Sequence, residues 1–180
     1  MKPLDNLTVV LYRTGLSIAA LAALIYSIER ILGFRLLGDF YLSCFACGIA
    51  LASADVHLYD PRFRWFIPLM SWIGFMLLAF AYSLKGSGSP AEHVLEAVSL
   101  GFFYIGASMF AVKESFCFKI TGLNLVPLLL CGTAFSRLLK APGIEPYFLL
   151  PAAFLFTWMV VAKWRMPLHF DVGDKSYYVL

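Results

Sequence analysis

Apolar residues occur in six long stretches of the chain, and polar residues collect in the short segments between them. The stretches cover about residues 8–28, 40–58, 65–84, 90–112, 123–138 and 146–162. A helix crosses the hydrocarbon core of a bilayer with roughly 20 apolar residues, and most of these stretches reach or approach that length. A surface helix of a soluble protein would instead alternate apolar and polar positions. The pattern therefore predicts an all-α, polytopic transmembrane helix bundle of about six spans, forming a single domain over residues 1–180.

The overall composition agrees with a lipid environment. The chain of 180 residues is 61% hydrophobic and only 14% charged, with a formal net charge of +3. That charge is too small to indicate nucleic acid as a partner, and the basic residues lie at the ends of the apolar stretches, as in membrane proteins. We therefore expect the lipid bilayer as the main partner, with a membrane protein or a second copy of the chain as open alternatives.

The distribution of basic residues predicts the orientation. With six spans, both termini lie on one side, together with the loops after the second and fourth spans. That side carries nine of the fourteen basic residues: Lys2, Arg13, Arg62, Arg64, Lys113, Lys119, Lys163, Arg165 and Lys175. Lysine and arginine are enriched in cytoplasmic loops. We predict a protein of the bacterial inner membrane with both termini in the cytoplasm.

Small residues recur every four positions in the first two spans. Gly15, Ala19 and Ala23 form one such stripe, and Gly48 and Ala52 belong to another. This spacing lets two helices approach closely. Arg13 lies about one turn inside the first span, where we expect its side chain to snorkel to the headgroups.

Groups that could carry chemistry concentrate on the predicted cytoplasmic side. After the second and fourth spans come Asp55, His57, Asp60, Lys113, Glu114 and Cys117. Another polar group follows the sixth span and consists of Lys163, Arg165, His169 and Asp171. Carboxylate, imidazole and thiolate groups together suit acid–base chemistry or a metal site. One hypothesis is a pocket among spans two, four and six with Asp55, His57 and Glu114 at its floor. The alternative is that these groups cap helices and form ion pairs.

Other motifs are weaker. Cys44 and Cys47 have the spacing of a dithiol redox site, but they lie inside an apolar helix. His93 and Glu96 lie one turn apart at the start of the fourth span, so the run at 92–96 resembles a set of metal ligands. The capping box formed with the N-cap Ser89 already accounts for Glu92. We predict no bound metal and no cofactor. The span centres hold no Asp, Glu, Lys or Arg, which argues against a coupled transporter and leaves a passive pore open.

The runs Val-Lys-Glu-Ser-Phe-Cys-Phe at 112–118 and Ala-Asp-Val-His-Leu-Tyr-Asp at 54–60 resemble a family of small, uncharacterised bacterial integral membrane proteins. The resemblance covers most of the chain and implies six spans. It carries its Lys-Glu-x-Phe-Cys-Phe motif onto Lys113, Glu114, Phe116, Cys117 and Phe118, and its other loop onto His57, Tyr59 and Asp60. It implies no reaction and no ligand.

Three functional hypotheses follow. The first is a non-enzymatic integral membrane protein that acts as an assembly or interaction component, because the loops are short and the helix centres apolar. The second is a membrane enzyme or metal-handling protein that uses the cytoplasmic-side residues. The third is a small passive channel.

Overall fold

The computed structural model describes residues 3–38, 40–56, 61–85, 90–118 and 120–172. Within these ranges the regular structure is entirely helical. The helices are α1 (Pro3–Leu32), α2 (Phe40–Ala54), α3 (Pro61–Ser83), α4 (Pro90–Cys117), α5 (Val126–Leu138, preceded by a 3-10 turn over Leu123–Leu125), α6 (Glu145–Arg165) and α7 (His169–Val172). The predicted all-helical membrane bundle is confirmed.

Four of these helices are long and apolar enough to cross a membrane. Their spanning segments are Asn6–Leu32, Arg64–Ser83, Pro90–Phe116 and Glu145–Arg165. The apolar helices α2 and α5 are shorter, with 15 and 13 residues. At 1.5 Å per residue they extend about 20 Å, whereas a hydrocarbon core is about 30 Å thick. Six helices therefore build the bundle, and four of them have full spanning length.

Several predicted limits differ from the observed ones by four or five residues. The helix α1 covers Pro3–Leu32 where residues 8–28 were predicted, and α3 begins at Pro61 where residue 65 was predicted. The helix α4 continues to Cys117, five residues past its predicted end, because Lys113 and Glu114 find ion-pair partners while still helical. The helix α2 ends at Ala54 instead of Leu58, and Asp55 forms a turn. An aspartate competes for backbone hydrogen bonds and favours such a turn. The end of α2 therefore comes directly before Asp55 and precedes Pro61 by several residues.

The helices form a closed arrangement in which neighbours run in opposite directions. The helix α1 packs against α2 and α6, α4 packs against α3 and α5, and α5 packs against α6. We call the end where α1 begins and α4 and α6 finish the lower end. The upper end is where α1, α3 and α5 finish and α2, α4 and α6 begin. Side chains such as Phe45, Ile49, Phe103 and Leu149 fill the core between them.

The contact between α1 and α2 is made by backbone. A Cβ atom added to Gly15 would lie 2.5 Å from the backbone nitrogen of Ala52, and one added to Gly48 would lie 2.6 Å from that of Ala19. Both distances are shorter than any allowed contact, so only glycine fits at these two positions. The predicted stripes of small residues are thus the surfaces on which the two helices meet.

The helix α3 lies at the periphery and provides lipid contact. Only 28% of its spanning window is buried, against 50% for α1 and α4. Its outward side chains include Trp65, Leu69, Trp72, Met76 and Phe80, all of which are exposed. Large apolar side chains on the surface of an integral membrane protein contact the hydrocarbon chains of the lipid.

Candidate functional site

A buried ionic cluster occupies the lower end of the bundle, between α1, α4 and α6. Glu114 accepts a hydrogen bond of 2.9 Å from the hydroxyl of Tyr12. Its second carboxylate oxygen lies 2.8 Å from Nζ of Lys163, and Lys113 lies 3.4 Å away on the other side. The ring of Tyr12 lies 5.0 Å from the Lys113 ammonium and 5.1 Å from that of Lys163. One carboxylate therefore holds three helices together.

The same cluster extends to the segment that follows α6. Lys163 also pairs with Asp171 in α7, and the Nε of Arg13 donates to Asp171 over 2.7 Å. The other guanidinium nitrogens of Arg13 donate to the backbone carbonyls of Met166 (2.7 Å) and Pro167 (3.2 Å). Met166 and Pro167 directly follow α6, so Arg13 binds the backbone of the turn that leads from α6 to α7. We call Tyr12, Arg13, Lys113, Glu114, Lys163 and Asp171 the ionic latch.

The local sequence explains why the ionic latch forms. Lys163 lies in the last turn of α6, where a cation interacts favourably with the helix dipole. The chain then leaves the helix at Met166 and turns back through Pro167, so that α7 returns Asp171 to α1. Buried charges in a membrane require partners. Among the described residues, every buried side-chain nitrogen and oxygen has a hydrogen-bond partner.

The ionic latch is closed to solutes. The side chains of Glu114 and Arg13 are 1% exposed, and those of Lys163 and Asp171 are 2% and 3% exposed. Lys113, at the edge of the ionic latch, is the more exposed member, with 22% of its side chain accessible. The arrangement favours a fastening of helix ends over an open acid–base site.

The predicted site residues are only partly brought together. Glu114, Lys113, Lys163 and Asp171 meet as the residue types suggested. Asp55 lies half-buried after α2, and the partners that surround Glu114 come from α1, α4 and α6. Cys117 is the last residue of α4, with its side chain outside the described atoms, and His57 and Asp60 lie outside the described residues.

Arg13 and Tyr12 are the members of the ionic latch that sequence reasoning missed. The expectation that Arg13 snorkels to the headgroups was wrong, because its side chain is buried against Asp171. The sequence feature that could have identified Arg13 is its position, one turn inside an apolar helix. Such a residue needs a counter-charge, and Asp171 follows the last span on the same predicted side.

The structure also places two of the weaker sequence motifs. Cys44 and Cys47 are both free thiols. The Nε2 of His93 lies 3.1 Å from the backbone carbonyl of Arg137, so this ring joins α4 to α5. No three His, Cys, Asp or Glu side chains come together in a metal-binding arrangement in the part of the chain that the structure describes.

The upper end carries a feature that the sequence did not indicate, a polar cavity of about 540 Å³. This volume lies in the range of small-molecule sites, about 300–1,000 Å³. Five helix ends contribute to its wall. The basic side chains that line it are Arg30, Arg35, Lys85 and Arg137, and the acidic ones are Glu29, Glu92 and Glu96. We call it the upper cavity.

Two tyrosines, Tyr26 and Tyr41, line the core side of the upper cavity, and Tyr104 supports them from behind. The rings of Tyr26 and Tyr41 stack with centroids 4.1 Å apart, and the hydroxyls of Tyr41 and Tyr104 lie 2.8 Å apart. Arg137 lies 3.0 Å from Glu145 and 3.4 Å from the Tyr26 hydroxyl. These contacts fix the floor of the cavity between α1, α2 and α4.

A buried carboxylate shapes the rim of the upper cavity. Gly33 directly follows the last residue of α1, and its φ of 76° is the left-handed conformation that glycine adopts at helix ends. The carboxylate of Glu29 then accepts the backbone N–H groups of Leu36, Leu37 and Gly38. This acceptor folds the loop over the end of α1, which places Arg35 in the wall.

Comparisons with known proteins give one family and one curated relative. Residues 51–180 match the sequence profile of a family described as "Uncharacterized integral membrane protein (DUF2301)". A protein of Haemophilus influenzae, described as "Uncharacterized protein", is 32% identical over 175 residues, which cover 97% of this chain and 92% of that protein. No solved structure matches the chain.

Proposed function

Because the chain belongs to the DUF2301 family of uncharacterised integral membrane proteins, we propose that it is a non-enzymatic interaction component of the bacterial inner membrane. Its interaction site is the upper cavity, and the ionic latch at its lower end holds the helix ends together. Both termini lie in the cytoplasm, so the upper cavity opens on the opposite side of the membrane. The excess of basic residues on the lower side supports this orientation.

The single observation that carries this proposal is that the described residues lining the upper cavity all lie at the upper end of the bundle. Tyr26 and Tyr41 lie on its core side, Tyr104 supports Tyr41 from behind, and the ionic latch occupies the lower end. A channel needs a continuous polar path through the bundle, whereas the core between the two ends is filled by apolar side chains such as Phe45, Ile49 and Phe103. A polar recess with a fixed floor instead suits the binding of an occupant, whether a small ligand, a membrane protein or a second copy of the chain.

Photo-crosslinking in native membranes tests the interaction site. Phe34 lies on the rim of the upper cavity and is exposed, so we replace it with p-benzoylphenylalanine. We expect a discrete adduct, whose mass separates a small ligand from a protein partner or a second copy. The control is the same replacement at Trp72, which is exposed on α3 away from the cavity. Identical adduct patterns at both positions would contradict the proposal.

Thiol accessibility tests the orientation. In a variant in which Cys44, Cys47, Cys117 and Cys131 are replaced by serine, Arg35→Cys and Arg165→Cys each introduce one exposed thiol. We expect an impermeant maleimide to label position 35 in intact spheroplasts and position 165 only after permeabilisation. The reverse order would invert the proposed topology.

A further inference from the structure

Four charged side chains line the upper cavity and form no ion pair in the part of the chain that the structure describes. Arg30 and Arg35 come from the end of α1 and the loop after it, and Glu92 and Glu96 come from the first turns of α4. The two glutamates are half-buried and the two arginines are exposed.

The remaining charges of the cavity wall are engaged. Glu29 accepts three backbone N–H groups of the rim, and Arg137 is paired with Glu145. The ammonium of Lys85 lies 5.6 Å from the ring centroid of Tyr82. The wall therefore separates into charges that hold the protein together and charges that face the recess.

The four side chains without an ion pair fall into two pairs of like charge. Glu92 and Glu96 are four residues apart on one helix, where their side chains are neighbours and repel. Arg30 and Arg35 supply positive charge to the same recess from α1 and its loop. An ammonium group placed against the glutamates relieves their repulsion. Guanidinium groups match the geometry of phosphate, which they bind through paired hydrogen bonds.

We propose that the upper cavity binds a small zwitterion that joins an ammonium group to a phosphate group. The ammonium lies at Glu92 and Glu96, and the phosphate lies at Arg30 and Arg35. This inference rests on the proposed function, because it specifies the occupant of the same recess. The required chemistry is shared by free O-phosphoethanolamine and by the headgroup of phosphatidylethanolamine, which lies at the level where the cavity opens.

The binding test uses purified, delipidated protein in detergent, with thermal unfolding as the readout. O-phosphoethanolamine raises the melting temperature saturably, whereas inorganic phosphate alone and ethanolamine alone at the same concentration do not. Glu96→Gln and Arg30→Gln each weaken the affinity about tenfold, as expected for the loss of one charge-assisted contact. The matched control is Lys140→Gln, an exposed cation at the same end of the bundle outside the cavity wall.

Nanodiscs separate the two sources of the headgroup. If a lipid is the occupant, adding phosphatidylethanolamine to phosphatidylglycerol discs stabilises the wild type, free O-phosphoethanolamine adds nothing further, and Glu96→Gln loses the lipid preference. If a soluble zwitterion is the occupant, the free probe stabilises the protein equally in both discs. Either result supports the proposal.

The proposal is overturned if phosphate or ethanolamine alone acts as strongly as the zwitterion, or if both cavity variants bind it like the wild type. The Phe34 adduct distinguishes this failure from a failure of the proposed function. An adduct without any zwitterion effect leaves the interaction site intact and refutes only the ligand class. Loss of the adduct refutes both.

Discussion

Lys163→Met is the substitution that tests the ionic latch most directly. Lys163 is the shared cation of two buried carboxylates, Glu114 at 2.8 Å and Asp171. Methionine keeps an unbranched chain about as long as the aliphatic part of lysine but removes the charge and the hydrogen bonds. Removing one partner of a buried ion pair costs about 3–5 kcal/mol, because the other charge stays buried without compensation.

The remaining contacts of the two carboxylates set the expected magnitude. After the substitution Glu114 keeps Tyr12 and Lys113, and Asp171 keeps Arg13. Each carboxylate therefore retains one cation, which places the loss at the lower limit. We expect Lys163→Met to lower the free energy of unfolding by about 3 kcal/mol.

The assay is unfolding in mixed micelles with increasing dodecyl sulfate, followed by the fluorescence of the four tryptophans. Arg165→Met is the matched control, because this exposed residue lies in the same turn of α6 and substitutions of exposed residues change stability by only about 0.5 kcal/mol. Combining Lys163→Met with Glu114→Gln removes both members of one pair, so the double variant loses less than the sum, by about 1–3 kcal/mol. Additive losses, or a Lys163→Met protein as stable as the control, would refute the reasoning.

Three further predictions concern other parts of the bundle. Gly48→Ala forces a methyl group against the backbone of α1 and lowers the stability by about 1–3 kcal/mol in the same micelle assay, whereas Gly101→Ala, with open space around it, is neutral or stabilising. Asp171→Asn weakens the hold of Arg13 on the segment after α6, which protease digestion detects as faster cleavage there. Glu29→Ala removes the acceptor of three backbone N–H groups, and hydrogen exchange in the loop after α1 accelerates; unchanged exchange would contradict its role at the rim.

The fold could be predicted because a membrane helix is determined by the apolar residues of its own segment. The apolar stretches predicted six helices, and the small residues at Gly15 and Gly48 predicted which surfaces approach closely. The end of α2 was misplaced because Pro61 was given more weight than Asp55. Local patterns therefore predicted that the helices exist more accurately than they predicted the residues at which the helices begin and end.

The ionic latch and the upper cavity were harder to predict, because their residues are far apart along the chain. The sequence placed Glu114 in a pocket with Asp55 and His57, whereas in the structure its partners are Tyr12, Lys113 and Lys163. Arg13 was expected at the headgroups. Its partner Asp171 lies 158 residues later and meets it only because α7 turns back. The upper cavity was missed for the same reason, since its charges come from separate helix ends that no spacing relates.

The distance between Arg13 and Asp171 also has a consequence for biosynthesis. A ribosome adds roughly 5–20 residues per second, so 158 residues take on the order of ten seconds or longer. During that time the guanidinium is already inserted and its counter-charge does not yet exist. We expect Arg13 to lie at the phospholipid phosphates until translation supplies Asp171. The contact between Arg13 and Asp171 is then among the last to form as the protein matures.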